Sequence, residues 1–136
     1  MNKKGFVSVF CSLFVLLQCS FGQITVFSEG FVVQGAGTDK TFIGSASGRA
    51  FIFNNDGHDD ITIRDLTINN CWKSSDRRMA MGIVVGESSV SIDNLRVINV
   101  NFVDNNSDEY GGAIYVGKTS DLKVEDCYFS ENSCDG

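Results

Sequence analysis

Ile61-Thr62-Ile63-Arg64-Asp65-Leu66-Thr67-Ile68 is the stretch on which the fold turns, with apolar residues at relative positions 0, 2, 5 and 7. Val90, Ile92, Leu95 and Val97 repeat that spacing, and so do Leu122, Val124, Cys127 and Phe129. Alternation puts every second side chain on one face of a strand, and the single three-residue step places two outward residues at a bend before alternation resumes. Asp65, Asn94 and Asp126 occupy that step, where short polar side chains bond the turning backbone. An amphipathic helix would instead repeat at three- and four-residue intervals. The middle copy has a second register, because Leu95, Val97, Val100 and Phe102 fit the same spacing five residues further on.

Outward from this repeat, a second short strand travels with each copy. Phe51 and Phe53 precede the first, Ile83 and Val85 the second, and Ile114 and Val116 the third, at separations of 32 and 31 residues. The gap between the two strands of a unit varies, from 8 residues (Phe53 to Ile61) to 5 (Val85 to Val90) and 6 (Val116 to Leu122). Length variation therefore falls in turns, as it does in surface loops generally. Such a unit, without a helix, cannot bury its apolar face alone and must stack on its neighbours. Stacking sets Phe51 against Ile83 and Ile114, and winding the chain once round supplies the parallel connection that otherwise needs a helical crossover. A β-sandwich is the rival architecture, but it gives no reason for three nearly equal spacings. Residues 69–79, with Trp72, Lys73, Arg77 and Arg78, interrupt the pattern and read as an excursion loop.

The 136 residues contain no proline and 14 glycines, a strand-and-turn composition. Lys3 and Lys4, the apolar run from Phe6 to Leu17, and Ser20-Phe21-Gly22 have the layout of a secretory leader cleaved before Gln23. Residues 1–22 are accordingly assigned to the signal peptide, and residues 23–136 to the repeats, which are expected to be truncated at the C-terminus because Cys134-Asp135-Gly136 stands inside a repeat and leaves the last coil's edge unpaired. The apolar run is short for a membrane span, and no later stretch approaches one. Gln18 is bulky where lipid attachment at Cys19 would require a small residue. Removing the leader leaves 9 basic against 17 acidic side chains, and the only basic pair is Arg77-Arg78, so nucleic acid is excluded as a partner. Cys71, Cys127 and Cys134 remain of the five cysteines. Export permits one disulfide among them, while Cys127 reads equally as a small apolar core residue. Without a Cys-x-x-Cys or Cys-His cluster no zinc site is expected.

Two short motifs alternate near the end of the chain. Gly111-Gly112-Ala113-Ile114 follows Phe102-Val103-Asp104-Asn105, and Phe129-Ser130-Glu131-Asn132 comes next. In this the chain resembles the polymorphic outer membrane protein repeats and their relatives among right-handed parallel β-helix proteins of the pectin-lyase-like fold. Val32 to Thr41 is similar to the entry that precedes such repeats, and the resemblance spans roughly residues 24–136. Ala80-Met81-Gly82-Ile83 departs from the motif. The resemblance implies a secreted or surface-displayed β-helix, in bacteria often an adhesive passenger at the cell outer membrane. Gly111 and Gly112 are read as permitting a tight corner with positive φ, and Asn105 and Asn132 as stacking in an amide ladder or taking the left-handed conformation.

Candidate chemistry concentrates in one turn, where Asp56, His58, Asp59 and Asp60 lie near Arg64. A polysaccharide lyase needs calcium-binding acids with a basic proton abstractor, and a hydrolase needs paired carboxylates. The other units replace this cluster with different residues, so a solvated turn is the better explanation, and His58 has no accompanying nucleophile motif. Trp72 with Arg77 and Arg78 reads either as a protein or glycan contact or as a cover for the stack. Asn105-Asn106-Ser107 is a glycosylation sequon, meaningful in a eukaryote.

The sequence thus points to an all-β, right-handed parallel β-helix (a solenoid) of about four coils behind a signal peptide, secreted or on the outer surface. It is expected to be a non-enzymatic adhesion or interaction scaffold with an extracellular protein or glycan ligand. No catalytic, cofactor-binding or metal-ligating residue and no cofactor is assigned. A carbohydrate-active enzyme of pectate-lyase type and a structural fragment of a longer repeat protein are the alternatives.

Overall fold

The structure is a computed structural model. It describes residues 6–7, 16–18, 24–25, 30, 32–44, 48–53, 59–71, 82–85, 92–117 and 121–135. Among these residues there is no helix. The strands are β1 (Phe6–Val7), β2 (Leu16–Gln18), β3 (Ile24–Thr25), β4 (Val32–Gln34), β5 (Phe42–Gly44), β6 (Phe51–Phe53) and β7 (Ile61–Asn69). They continue as β8 (Ile83–Val85), β9 (Leu95–Val103), β10 (Asn106–Ser107), β11 (Ile114–Val116), β12 (Leu122–Glu125), β13 (Tyr128–Ser130) and β14 (Ser133–Cys134). The fold is all-β, and every strand pairing among the described residues is parallel.

Three sheets result. In the largest, β7 lies between β9 on one side and both β4 and β5 on the other. Beyond β9 come β12 and β13, while β1 and β2, which fall in the segment read as a leader, pair with β4 and β5. The second sheet runs β3-β6-β8-β11, and the third pairs β10 with β14. Phe51 stands against Ile83 and Ile83 against Ile114, the pairing expected from the sequence.

The registers decide the ambiguity in the middle repeat. Ile61 pairs with Leu95 and Leu66 with Val100, and Leu95 in turn pairs with Leu122. The bend opposite Asp65 is therefore Asn99, and Asn94 belongs to an earlier corner. The reason lies in the backbone, which turns every five residues. Asp60, Asp65 and Asn70 have φ of 58°, 58° and 52°, and Asn94, Asn99 and Asp104 have 60°, 51° and 53°. In the last repeat Asp126 and Glu131 have 51° and 56°. Seven of these eight left-handed residues are Asn or Asp, whose short polar side chains tolerate that region. The 0, 2, 5, 7 pattern is thus two five-residue arms, each opening on an inward apolar residue and closing on a left-handed corner.

The inward positions build aligned ladders. Val33, Ile63, Val97 and Val124 form one, and Ile43, Ile68, Phe102 and Phe129 another. Ile61, Ile63, Leu66, Ile68, Leu95, Val97, Val100 and Phe102 are wholly buried, as are Phe51, Phe53, Ile83 and Val85 on the facing sheet. Burying such a side chain contributes about 1.5–3 kcal/mol, so these ladders supply the main driving force for stacking. Cys127 is half-buried and packs against this core. Its Sγ lies 3.2 Å from the Glu125 carbonyl and 3.5 Å from that of Val97, which agrees with its reading as a small core residue.

Candidate functional site

The polar groups of the stack are gathered at its corners, and their hydrogen bonds run from one repeat to the next. At the first corner the Asn94 side-chain amide donates to Asp60 Oδ1, and the Asp93 backbone N–H donates to Asp59 Oδ1 at 3.0 Å. At the second, Asn99 Nδ2 donates to Asp65 Oδ1 at 2.9 Å. Arg64 Nε and Gln34 Nε2 donate to the other oxygen of Asp65 at 2.7 and 3.3 Å. Burial alone would raise the Asp65 pKa, but the donors Asn99, Arg64 and Gln34 together with the Arg64 charge outweigh it, so the carboxyl titrates below its ordinary value.

One residue past the third corner runs the asparagine ladder. Asn105 Oδ1 accepts from Cys71 N at 3.2 Å, and Asn105 Nδ2 donates to the Ile68 carbonyl at 3.0 Å. Asn132 repeats this a unit later, its Oδ1 accepting from Asn105 N at 3.2 Å and its Nδ2 donating to the Phe102 carbonyl at 2.8 Å. A direct hydrogen bond joins the two amides, Asn105 Nδ2 donating to Asn132 Oδ1 at 2.8 Å. The amide-ladder reading of the Phe-x-x-Asn motif therefore holds, whereas the left-handed residues are Asp104 and Glu131, one position earlier. Cys71 occupies the corresponding place in the preceding repeat and has no amide to extend the ladder backward. Asn105 is wholly buried, so the sequon at 105–107 is closed to a glycan in the folded chain.

The two glycines of Gly111-Gly112-Ala113-Ile114 serve different needs. Gly111 has the expected positive φ, 48°. Gly112 does not share it, and its requirement is close approach, since a Cβ there would stand 2.4 Å from the Ser133 carbonyl oxygen. Gly82 is held likewise, with the Ala113 carbonyl oxygen 2.2 Å from where its Cβ would be.

Of the acidic turn, Asp59 and Asp60 are described and engaged as above, while Asp56 and His58 lie outside the described residues. Arg64 pairs with Asp65. No group of three or more metal-ligating side chains occurs among the described residues. Trp72, Lys73, Arg77 and Arg78 are likewise outside them. Cys134 is an exposed thiol, and burial pushes the Cys127 thiol up, which keeps it protonated and weakly nucleophilic at neutral pH. No helix of the described residues is long and apolar enough to cross a membrane.

Sequence reasoning missed the five-residue beat of corners: it is legible in Asp60, Asp65 and Asn70, but the apolar spacing marks only the bend at Asp65. At the last strands of the largest sheet Leu122, Val124, Tyr128 and Phe129 are 40%, 41%, 58% and 49% exposed. No family model matches the chain, and neither a curated protein nor a solved structure matches it.

Proposed function

We propose that the chain winds as a right-handed parallel β-helix of about four coils and works outside the cell as a non-enzymatic interaction scaffold, adhesive in character. The observation that carries this reading is the use made of the corner groups. Asp59 and Asp60, two of the carboxylates a lyase would draw on, accept hydrogen bonds from the next repeat, as does Asp65 at the following corner. Variation in length between repeats is confined to the connecting turns, so a rigid stack would present them at fixed spacing while they differ in sequence. Recognition by variable loops on an invariant frame follows the general division of labour between scaffold and loop. The acidic balance of the chain fits an exported, soluble surface.

The test is binding of the exported protein to an array of cell-surface glycans and extracellular proteins, beside a version whose residues 72–80 are replaced by a Gly-Ser segment of equal length. Saturable binding that the replacement abolishes is expected, with no product from polygalacturonate. Calcium-dependent release of unsaturated uronides from polygalacturonate would put a pectate-lyase type of enzyme in its place.

A further inference from the structure

The same apolar ladders are covered differently at β4–β5 and at β12–β13. Val33 and Ile43, on β4 and β5, are 7% and 9% exposed, while Val124 and Phe129, which continue those ladders on β12 and β13, are 41% and 49% exposed. The difference is the neighbour. β4 lies between β7 and β1, and β5 between β7 and β2, whereas β12 and β13 pair with β9 alone among the described residues. Among the described strands, what lies beside β4 and β5 on the side away from β7 is the stretch that the sequence presents as a leader to be cut away.

That stretch pairs as a coil of the stack. Phe6 and Val7 stand opposite Val32 and Val33, Leu16 and Leu17 opposite Phe42 and Ile43, and Ile24 opposite Phe51, all in parallel. The offsets between partners are 26, 26 and 27 residues, so β1, β2 and β3 match β4, β5 and β6 in the same order and at nearly constant spacing. Agreement of three successive strands on two sheets is what one turn of the same winding produces. β1 and β2 are two and three residues long, and very short strands at the margin of a sheet are one way of denying other chains a template for pairing.

We propose that residues 6–25 are a structural coil of the folded protein, kept with it and shielding the β4 and β5 edges, in place of the cleavage before Gln23 that the leader-like layout suggests. Cleavage there would remove β1 and β2, keep β3, and leave β4 and β5 with β7 as their one partner. Val33 and Ile43 would then stand as Val124 and Phe129 do, with apolar surface returned to water at a cost of about 25 cal/mol for each Å² uncovered. This rests on the stacked-coil reading above but not on the adhesive one.

The protein is recovered from the cells that make it, together with their medium, and digested with trypsin. No Lys or Arg lies between Gly5 and Asp39, so a retained coil yields the peptide 5–40, whereas cleavage yields a peptide that begins at Gln23. The first is expected. In the full-length chain, Leu17→Pro takes a backbone N–H out of β2. It is expected to speed amide exchange at Phe42–Gly44 about tenfold or more while β9 keeps its protection. A peptide beginning at Gln23 as the main recovered form would overturn the proposal, and so would exchange at Phe42–Gly44 that is indifferent to the proline. Failure of the protein to bind any glycan or extracellular protein would count against the adhesive reading and leave this coil standing.

Discussion

The repeats centred on β9 and on β12–β13 carry the same pattern and live in different surroundings. Leu95, Val97 and Phe102 are wholly buried, whereas Leu122, Val124 and Phe129, one ladder position further, are 40%, 41% and 49% exposed. Both repeats turn on left-handed corners at matching positions, Asn99 and Asp104 in one and Asp126 and Glu131 in the other. The spacing of apolar residues and corners therefore sets the path of the chain within a repeat, and burial is supplied by whatever lies on either side.

The comparison is broken most sharply by a charge in the valine ladder. Val97→Asp, with no polar partner in a buried site, is expected to abolish folding, while Val124→Asp costs about 1 kcal/mol or less at its exposed position; circular dichroism with thermal melting separates them. Truncating the stacked rings gives the next largest contrast. Phe102→Ala is expected to destabilise by about 3–5 kcal/mol and Phe129→Ala by less than half of that, as urea denaturation would read. In the amide ladder, Asn105→Ala strips the buried Cys71 N–H and Ile68 carbonyl of their partner and is expected to cost about 2–4 kcal/mol, against about 1 kcal/mol for Asn132→Ala. Equal costs for the two would show that the deeper burial of Asn105 adds nothing to its place in the ladder.

The smallest effect is a pH dependence at the second corner. The depressed pKa of Asp65 means that its contribution is present above the unfolded value, about 3.9, and is lost as pH falls through the folded value. Asp65→Asn is therefore expected to lower the melting temperature at neutral pH, with the gap to the wild type closing as the buffer is taken below the ordinary carboxylate range. A gap that stays constant with pH would remove the carboxylate from the corner's stability.

Much of this arrangement was legible in the residues, because apolar spacing reports directly which side chains face inward. Ile61, Ile63, Leu66 and Ile68 declared their strand, and Phe51, Ile83 and Ile114 their alignment. The middle register was not legible, since Val90 and Ile92 extend the same spacing that Leu95, Val97, Val100 and Phe102 satisfy. Only the common left-handed corners at Asp65 and Asn99 choose between them. The reason for Gly112 was hidden as well, because closeness to the Ser133 carbonyl is a property of the next repeat. Carboxylates crowded in sequence can suggest a binding site, but Asp59 and Asp60 accept hydrogen bonds from Asp93 and Asn94 of the following repeat, in keeping with the reading of this stretch as a turn rather than a site.

The most direct test of the stacked register is a pair of double-cysteine variants. Thr62 and Arg96 are paired neighbours on β7 and β9, within the Cα separation of about 4.4–6.8 Å that a disulfide spans. The alternative register would instead set Thr62 beside Ser91. Mild oxidation is expected to cross-link Thr62→Cys with Arg96→Cys and to leave Thr62→Cys with Ser91→Cys reduced, as read by peptide mass after digestion. Cross-linking of the Ser91 pair and not the Arg96 pair would contradict the register on which the ladders, the corners and the open edge all depend.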